Sequence, residues 1–389
     1  MPVHVLVLLT ADLESAASGG IRTFVRDFVK YSPADFEIDI VGSTADPRAR
    51  PPGGWRTLTY GARSARFLPL VHIPANASSR VPDLLRYVMA LILRRRWLPL
   101  AGHVLQVHRP AIALAFPGHR GPIVQWLHLN TVDGIGQLRW RRLPGLFRLL
   151  ERRTLGRMAR VYLPSSASVD DLRRRYPALA ERIRFSANWY DTQRFGAPTE
   201  AQRTAARDWL ATEIGAPLAP TAKVILFVGR LEPVKDPRLL LATFAEHARD
   251  DATARLVLIG DGSLRAEIGR QAAALGLAER VHLLGAREPD EVARAMQAAD
   301  VLLVSSRSEA SARVALEALG SGLPVVSTRV GEMAAVVEHG RTGWLADERR
   351  AEVLARGLAW AIAQPRDAIA GATSGSVVDN VPERALAAL

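Results

Sequence analysis

Arg230 and Lys235 follow an apolar, β-branched run in VILFVGRLEPVKD, and Glu309 and Glu317 stand eight residues apart beyond a second run, VLLV. A guanidinium binds a phosphate bidentately, an ammonium acts as a point charge, and carboxylates accept from hydroxyls. Two cations after one strand and two carboxylates after another therefore suit a nucleoside diphosphate bearing a sugar. Lysine is scarce: Lys30, Lys223 and Lys235 are the only three among 51 basic residues. In isolation, Arg230 and Lys235 would read as surface cations. Their strand–loop–helix setting and the rarity of lysine favour function.

If both glutamates were helical, they would lie ~12 Å and about 80° apart and would not meet. Glu309 in a loop, with Ser311 capping a helix that carries Glu317 in its second turn, brings both toward one crevice. Pro233 and Pro237 stiffen the cation loop, and Asp236 suits a helix cap. Gly19–Gly20, after the first apolar run, let backbone N–H groups approach a phosphate or sugar. His128 ends IVQWLH and is placed to touch a sugar or an acceptor hydroxyl; a satisfied structural histidine is the equal alternative. His108 in LQVHRP is a weaker candidate of the same kind. No metal is assigned: there is no HExxH and no Asp-x-Asp dyad.

Composition sets the frame for these residues. The 389 residues, 23% charged and 48% hydrophobic, describe a globular protein of two or three domains. Zero cysteines exclude disulfides, thiolate nucleophiles and Cys-ligated metals, which fits a reducing cytosol. MPVHVLVLLT reads as a first strand rather than a signal peptide, and no apolar run approaches the ~20 residues that span a bilayer. Residues 1–200 hold 29 Arg/Lys against 15 Asp/Glu, a net +14; the remaining 22 and 24 give −2, so the total is +12. The basic half should face something anionic. Two stretches fit an anionic bilayer: 139–160, with eight arginines and one glutamate, and LLRYVMALILRRRW at 84–97. Two core helices with solvated outer faces are the slightly favoured alternative.

Apolar runs at 224–228, 256–259, 281–284, 301–304 and 324–327 alternate with helix-like stretches near 237–248, 263–275, 289–298 and 312–320. That rhythm predicts βαβ units and a parallel sheet, with polar signals just past the strand ends. The first half repeats it more loosely, with strands expected at 3–9, 37–41, 104–107, 112–116, 123–127 and 161–164. The Pro/Ala/Thr-rich stretch 196–221 marks the expected boundary. The predicted domains are 1–200 and 201–370, with 371–389 a terminal segment packing back on the first.

These motifs resemble the retaining glycosyltransferases of family four. VGRLEPVKD, LIGDGSLR, VHLLG, the E-x7-E pair, ALEALGSGLPVVST and VVEHGRTGWL match in order over 222–346. Over 1–195 the likeness is looser, and SANWYDTQRF resembles the family's Asn-Gly-Val-Asp segment. The resemblance implies an α/β GT-B fold: two Rossmann-like, doubly wound parallel-sheet domains flanking a cleft, with acceptor bound by the first and donor by the second. It implies that Arg230 and Lys235 bind the donor diphosphate, Glu309 the sugar and Glu317 the ribose, while Gly20 and His128 line the sugar site. The catalytic set is then Arg230, Lys235, Glu309 and His128. The donor-binding set is Gly19, Gly20, Gly229, Arg230, Lys235, Leu284, Glu309, Ser311, Ala312, Arg313 and Glu317. Ala310–Ser311–Ala312 stand where the family has Gly-Phe-Gly, and Trp189–Tyr190 replace Gly-Val.

The expected activity is metal- and cofactor-independent transfer of a hexose, with retention, from a UDP- or GDP-sugar to a hydroxyl acceptor in glycolipid or surface-polysaccharide synthesis. A lipid-linked acceptor and a cytoplasmic protein peripheral to an anionic membrane extend this reading; nucleic acid is not an expected partner. A nucleotide-sugar epimerase of related fold and a non-catalytic basic scaffold are the alternatives. Acceptor-dependent release of nucleoside diphosphate separates the first, and salt-sensitive RNA or DNA binding without donor turnover separates the second.

Overall fold

The computed structural model describes residues 2–14, 20–74, 81–128, 144–309, 313–364 and 369. The candidates Gly19, Ser311 and Ala312, the start of the 139–160 stretch and the segment 371–389 lie outside the described residues. The chain divides into two units, one reaching Ala187 and the other beginning at Asn188.

The first unit is built on eight strands: β1 (Val3–Leu8), β2 (Phe36–Thr44), β3 (Arg56–Tyr60), β4 (Arg63–His72), β5 (Val104–Val107), β6 (Ile123–Trp126), β7 (Arg160–Leu163) and β8 (Ile183–Phe185). Their order is β3-β4-β2-β1-β5-β6-β7-β8, and every pairing is parallel except the β3–β4 hairpin. Helices α1 (Gly20–Lys30), α2 (Asp83–Arg94), α3 (Pro144–Gly156) and α4 (Ser166–Arg175) are the described α-helices of this unit.

The second unit carries β9 (Val224–Val228), β10 (Arg255–Ile259), β11 (Val281–Gly285), β12 (Val301–Val304), β13 (Val325–Thr328) and β14 (Gly343–Ala346). The order β11-β10-β9-β12-β13-β14 is wholly parallel, the doubly wound 3-2-1-4-5-6 arrangement. Helices α5 (Glu200–Ile214), α6 (Pro237–His247), α7 (Arg265–Ala274), α8 (Pro289–Ala298), α9 (Arg313–Gly320), α10 (Met333–Val336) and α11 (Ala351–Ala363) belong to it. A parallel sheet needs both faces covered, and the strand side chains show it. Val224 and Leu226 enter one buried cluster, whereas Ile225 and Phe227 enter the cluster on the other face.

Several elements depart from the sequence expectation. Residues 112–116 form no strand; Pro110–Ala115 is a 3-10 helix. Pro110 lacks the N–H a ladder needs, and the Arg157 guanidinium caps the turn by donating to the carbonyls of Ala113 (2.9 Å) and Phe116 (2.5 Å). The hairpin β3–β4, the three-residue β8, the strand β14 and helix α11 go beyond the predicted set. The composition-marked stretch 196–221 contains α5, which opens with a capping box between Thr199 and Gln202 and ends at Gly215 in the left-handed region.

Candidate functional site

In a doubly wound sheet, ligands bind beyond the carboxyl ends of the strands where the order reverses. In the second unit that point lies between β9 and β12, and Arg230, Lys235 and Glu309 follow those two strands. The loops are laced together. Ser305 Oγ donates to the carbonyls of Lys235 (2.8 Å) and Asp236 (3.0 Å), and the Arg307 N–H donates to Val234 O at 2.8 Å. Thr328, ending β13, donates to Ser306 O at 2.8 Å.

On this frame Lys235 Nζ meets Glu309 Oε1 at 2.5 Å, and Ser306 Oγ donates to the same oxygen at 2.6 Å. Glu309 is buried, 7% exposed. Beneath it, Gly331 adopts φ +53°, and a Cβ there would stand 1.8 Å from Glu309 O. Only glycine allows that approach. A second pair of glycines supports the cation loop: a Cβ on Gly260 would fall 1.9 Å from Gly229 O, and one on Gly262 would fall 2.5 Å from Leu231 O.

Asp236 closes the loop. It is the one described non-glycine residue at positive φ (+47°). Its carboxylate caps α6 through Leu239 N and pairs with Arg307 (2.8 Å) and Arg349 (2.5 Å). That network fixes the segment carrying Lys235. Arg230 stands exposed at the other end of the loop, next to Glu232. The Glu232 carboxyl lies below its usual range, chiefly through hydrogen bonds from the Ser263 side chain and backbone and more weakly through Arg230.

The structure therefore joins Lys235 directly to Glu309. Glu317 is buried in the second turn of α9 and accepts from Arg313 Nε at 2.9 Å, an i,i+4 pair that engages Arg313 within the helix. Gly229 passes beneath Gly260, whereas Leu284 sits half-buried at the end of the edge strand β11, packed on the core. The Trp189–Tyr190 pair also has an explanation in this unit. Tyr190 is buried over Gly320 of α9, where a Cβ would meet the ring at 2.3 Å. The bulk gained at Tyr190 is matched by the side chain that Gly320 lacks.

In the first unit the order reverses between β1 and β5. Gly20 opens α1 after β1, exposed, with open space where a Cβ would be. His108 follows β5 and His128 follows β6. Their rings stack at 5.0 Å with 20° between planes, and His108 Nδ1 lies 2.7 Å from His128 Nε2. Phe24 of α1 packs edge-on against both rings, at 5.6 and 4.9 Å. Burial, and then the neighbouring His128, hold His108 well below the usual histidine range. Sequence ranked His108 beneath His128; the geometry couples them. Among the described residues, no group of three His, Cys, Asp or Glu side chains is arranged to hold a metal ion.

Two α/β units, each built on a largely parallel, doubly wound sheet, are the architecture of the GT-B fold. The family models agree: "Glycosyltransferase Family 4" matches residues 18–194 and "Glycosyl transferases group 1" matches residues 214–372. The chain belongs to the family-four glycosyltransferases. It is 33% identical over 229 residues to the D-inositol 3-phosphate glycosyltransferase of Rhodococcus opacus, covering 57% of this chain and 49% of that protein. To the Corynebacterium diphtheriae counterpart it is 37% identical over 187 residues, 46% of this chain and 42% of that one. The chain thus spans about half the length of the curated relatives it matches. Among solved structures, sucrose-phosphate synthase from Thermosynechococcus elongatus superposes with TM-score 0.76 at 19% identity, covering 99% of this chain and 96% of that one. HepE from Anabaena, solved with UDP and glucose, gives 0.70 at 19%, with 97% and 95% covered. WaaG, a glycosyltransferase involved in lipopolysaccharide biosynthesis, gives 0.71 at 18%, with 98% and 97% covered. These likenesses establish the GT-B fold.

Proposed function

We propose that this protein transfers a hexose from a nucleoside diphosphate-sugar to a hydroxyl acceptor with retention of configuration and without a metal ion. The observation that carries this reading is the Lys235–Glu309 pair, held by two laced loops at the switch point of the 3-2-1-4-5-6 sheet. Arg230 and Lys235 neutralise the leaving diphosphate, the charge a divalent cation would otherwise offset. Glu309 accepts from sugar hydroxyls, and Glu317, on the next helix, takes the ribose. The bond from C1 to the diphosphate oxygen breaks as the acceptor oxygen bonds C1 on the same face. The acceptor proton passes to the departing phosphate. In the first unit, His128 and Gly20 are the assigned ligand contacts, with His108 fixing the His128 ring.

HepE was solved with UDP and glucose, which supports a UDP-sugar as the first donor to test. The acceptor in this reading is a hydroxyl on a lipid-linked molecule of glycolipid or surface-polysaccharide synthesis, met at the cytoplasmic face of an anionic membrane; the +14 charge of residues 1–200 supports an anionic setting. The test is a thermal-shift screen against UDP- and GDP-sugars with EDTA present. A donor at 100 times its Kd stabilises by about 2.7 kcal/mol. No shift with any sugar nucleotide, or a shift abolished by EDTA, overturns the reading.

A further inference from the structure

The outer face of α2 is apolar and open to solvent. Leu85 is 51% exposed, Met89 48%, Ile92 41% and Leu93 73%, while Tyr87 and Leu91 of the same helix are fully buried. At 3.6 residues per turn the four exposed side chains share a stripe about 100° wide, opposite the core-facing residues. The stripe continues into Trp97, 52% exposed, beneath the Arg94 guanidinium. A globular protein rarely leaves such a row uncovered unless something binds it.

Arginine borders the stripe. Along α2 and just after it stand Arg86, Arg94, Arg95 and Arg96 against the single carboxylate Asp83. Arg95, Arg96 and Arg120 line a cleft of ≈ 590 Å³ with His119, Phe116 and Leu100. None of the three arginines pairs with a carboxylate among the described residues. The cleft precedes β5 and β6, at the amino ends of the strands; the His108–His128 pair sits at the carboxyl ends. The cleft and the histidine pair therefore lie at opposite ends of the sheet.

We propose that α2, Trp97 and this arginine cleft form a docking surface for an anionic bilayer, the apolar stripe entering the headgroup boundary and the cleft receiving a lipid phosphate. Charge complementarity selects this occupant. A second copy of the chain would bring arginine against arginine, whereas an anionic leaflet neutralises the fringe as it buries the stripe. The proposal is independent of the transfer chemistry: it concerns a different end of the first unit and has its own readout.

The experiment is co-sedimentation of the full chain with phosphatidylglycerol vesicles and with phosphatidylcholine vesicles at low salt. Binding to phosphatidylglycerol should exceed binding to phosphatidylcholine at least tenfold and fall steeply with added salt. Arg95→Glu/Arg96→Glu should lower it at least tenfold, as should Met89→Asp/Leu93→Asp. All four positions are exposed, so thermal stability and donor-induced shifts should match the parent chain. Equal binding to the two lipids, no binding to phosphatidylglycerol, or binding unaffected by either double variant overturns the proposal. So does a concentration-dependent dimer that Met89→Asp/Leu93→Asp abolishes, since the stripe would then be an interface between copies.

Discussion

The Lys235–Glu309 pair should be the energetic keystone of the donor loops, and a double-mutant cycle measures it. At 2.5 Å, with the effective dielectric of about 20 that suits protein sites, the bare attraction is roughly 6–7 kcal/mol. Desolvation of both groups offsets much of that. Side-chain exposures of 21% and 8% place the pair nearer the buried limit, where loss of one partner removes ~3–5 kcal/mol, than the surface limit of 0–1. Ser306 still donates to Glu309 when the lysine is gone, so a coupling of about 2–3 kcal/mol is expected. The variants are Lys235→Met, Glu309→Gln and the pair together, followed by urea denaturation in the transition of the second unit. Lys235→Met should be the most destabilised single variant, and the double variant should lose clearly less than the sum of the singles. The coupling should persist at 1 M salt, which screens surface pairs. Coupling below about 0.5 kcal/mol, or coupling that vanishes in salt, refutes the reasoning.

Gly331→Ala should destabilise by more than the ~1–2 kcal/mol of a left-handed alanine, because its Cβ strikes Glu309 O, and should cut donor binding. Gly340→Ala, with φ +79° but open space around it, should lose only the conformational part; equal losses in urea titration would show that the close approach has no consequence. Gly320→Ala should destabilise by at least ~1–3 kcal/mol through overpacking, and that loss should disappear in a Tyr190→Ala background; calorimetry showing additive effects refutes the pairing. His108 is buried with a depressed folded-state pKa, so the unfolded chain takes up its proton first as pH falls. Stability should be full above about pH 6.5 and decline below it, by up to about 1.4 kcal/mol per pH unit for this residue. His119, His247 and His282, also lowered by burial, act in the same direction. His108→Asn should flatten the slope of a pH-resolved melting series, and an unchanged slope would remove His108 from the account.

Strands buried on both faces announce themselves as continuous β-branched runs, which is why β9, β10, β12 and β13 were legible to within a residue or so. The hairpin β3–β4 was not: Arg56–Tyr60 is an edge strand that offers only Leu58 and Tyr60, both half-buried, on one face and the exposed Thr57 and Thr59 on the other. Strand β14 begins at Gly343, where the Val325 carbonyl sits so close that a Cβ would lie 2.1 Å from it, and a glycine at a strand start reads as a turn. Residues 112–116 misled because an apolar run of that length fits a strand or a buried turn equally well, and only Pro110 separates them. At the site, residue types and spacing located Lys235, Glu309 and Glu317. Composition left silent the long-range contacts that hold them: Gly331 under Glu309, Gly320 under Tyr190, and the coupling of His108 to His128. Each joins positions whose individual residue types are unremarkable.

The placement of Asn188 through Phe195 sets a rule for building hybrids. Tyr190 is seated on α9, and Arg194 bridges Asp191 and Asp290, so this short run travels with the later sheet although it precedes all six of its strands. A chimera joined near residue 200 would pair a foreign Gly-Val with Gly320 and leave a hollow where an aromatic ring belongs. The crossover should fall before residue 188, so that host and graft each keep their own half of the fit.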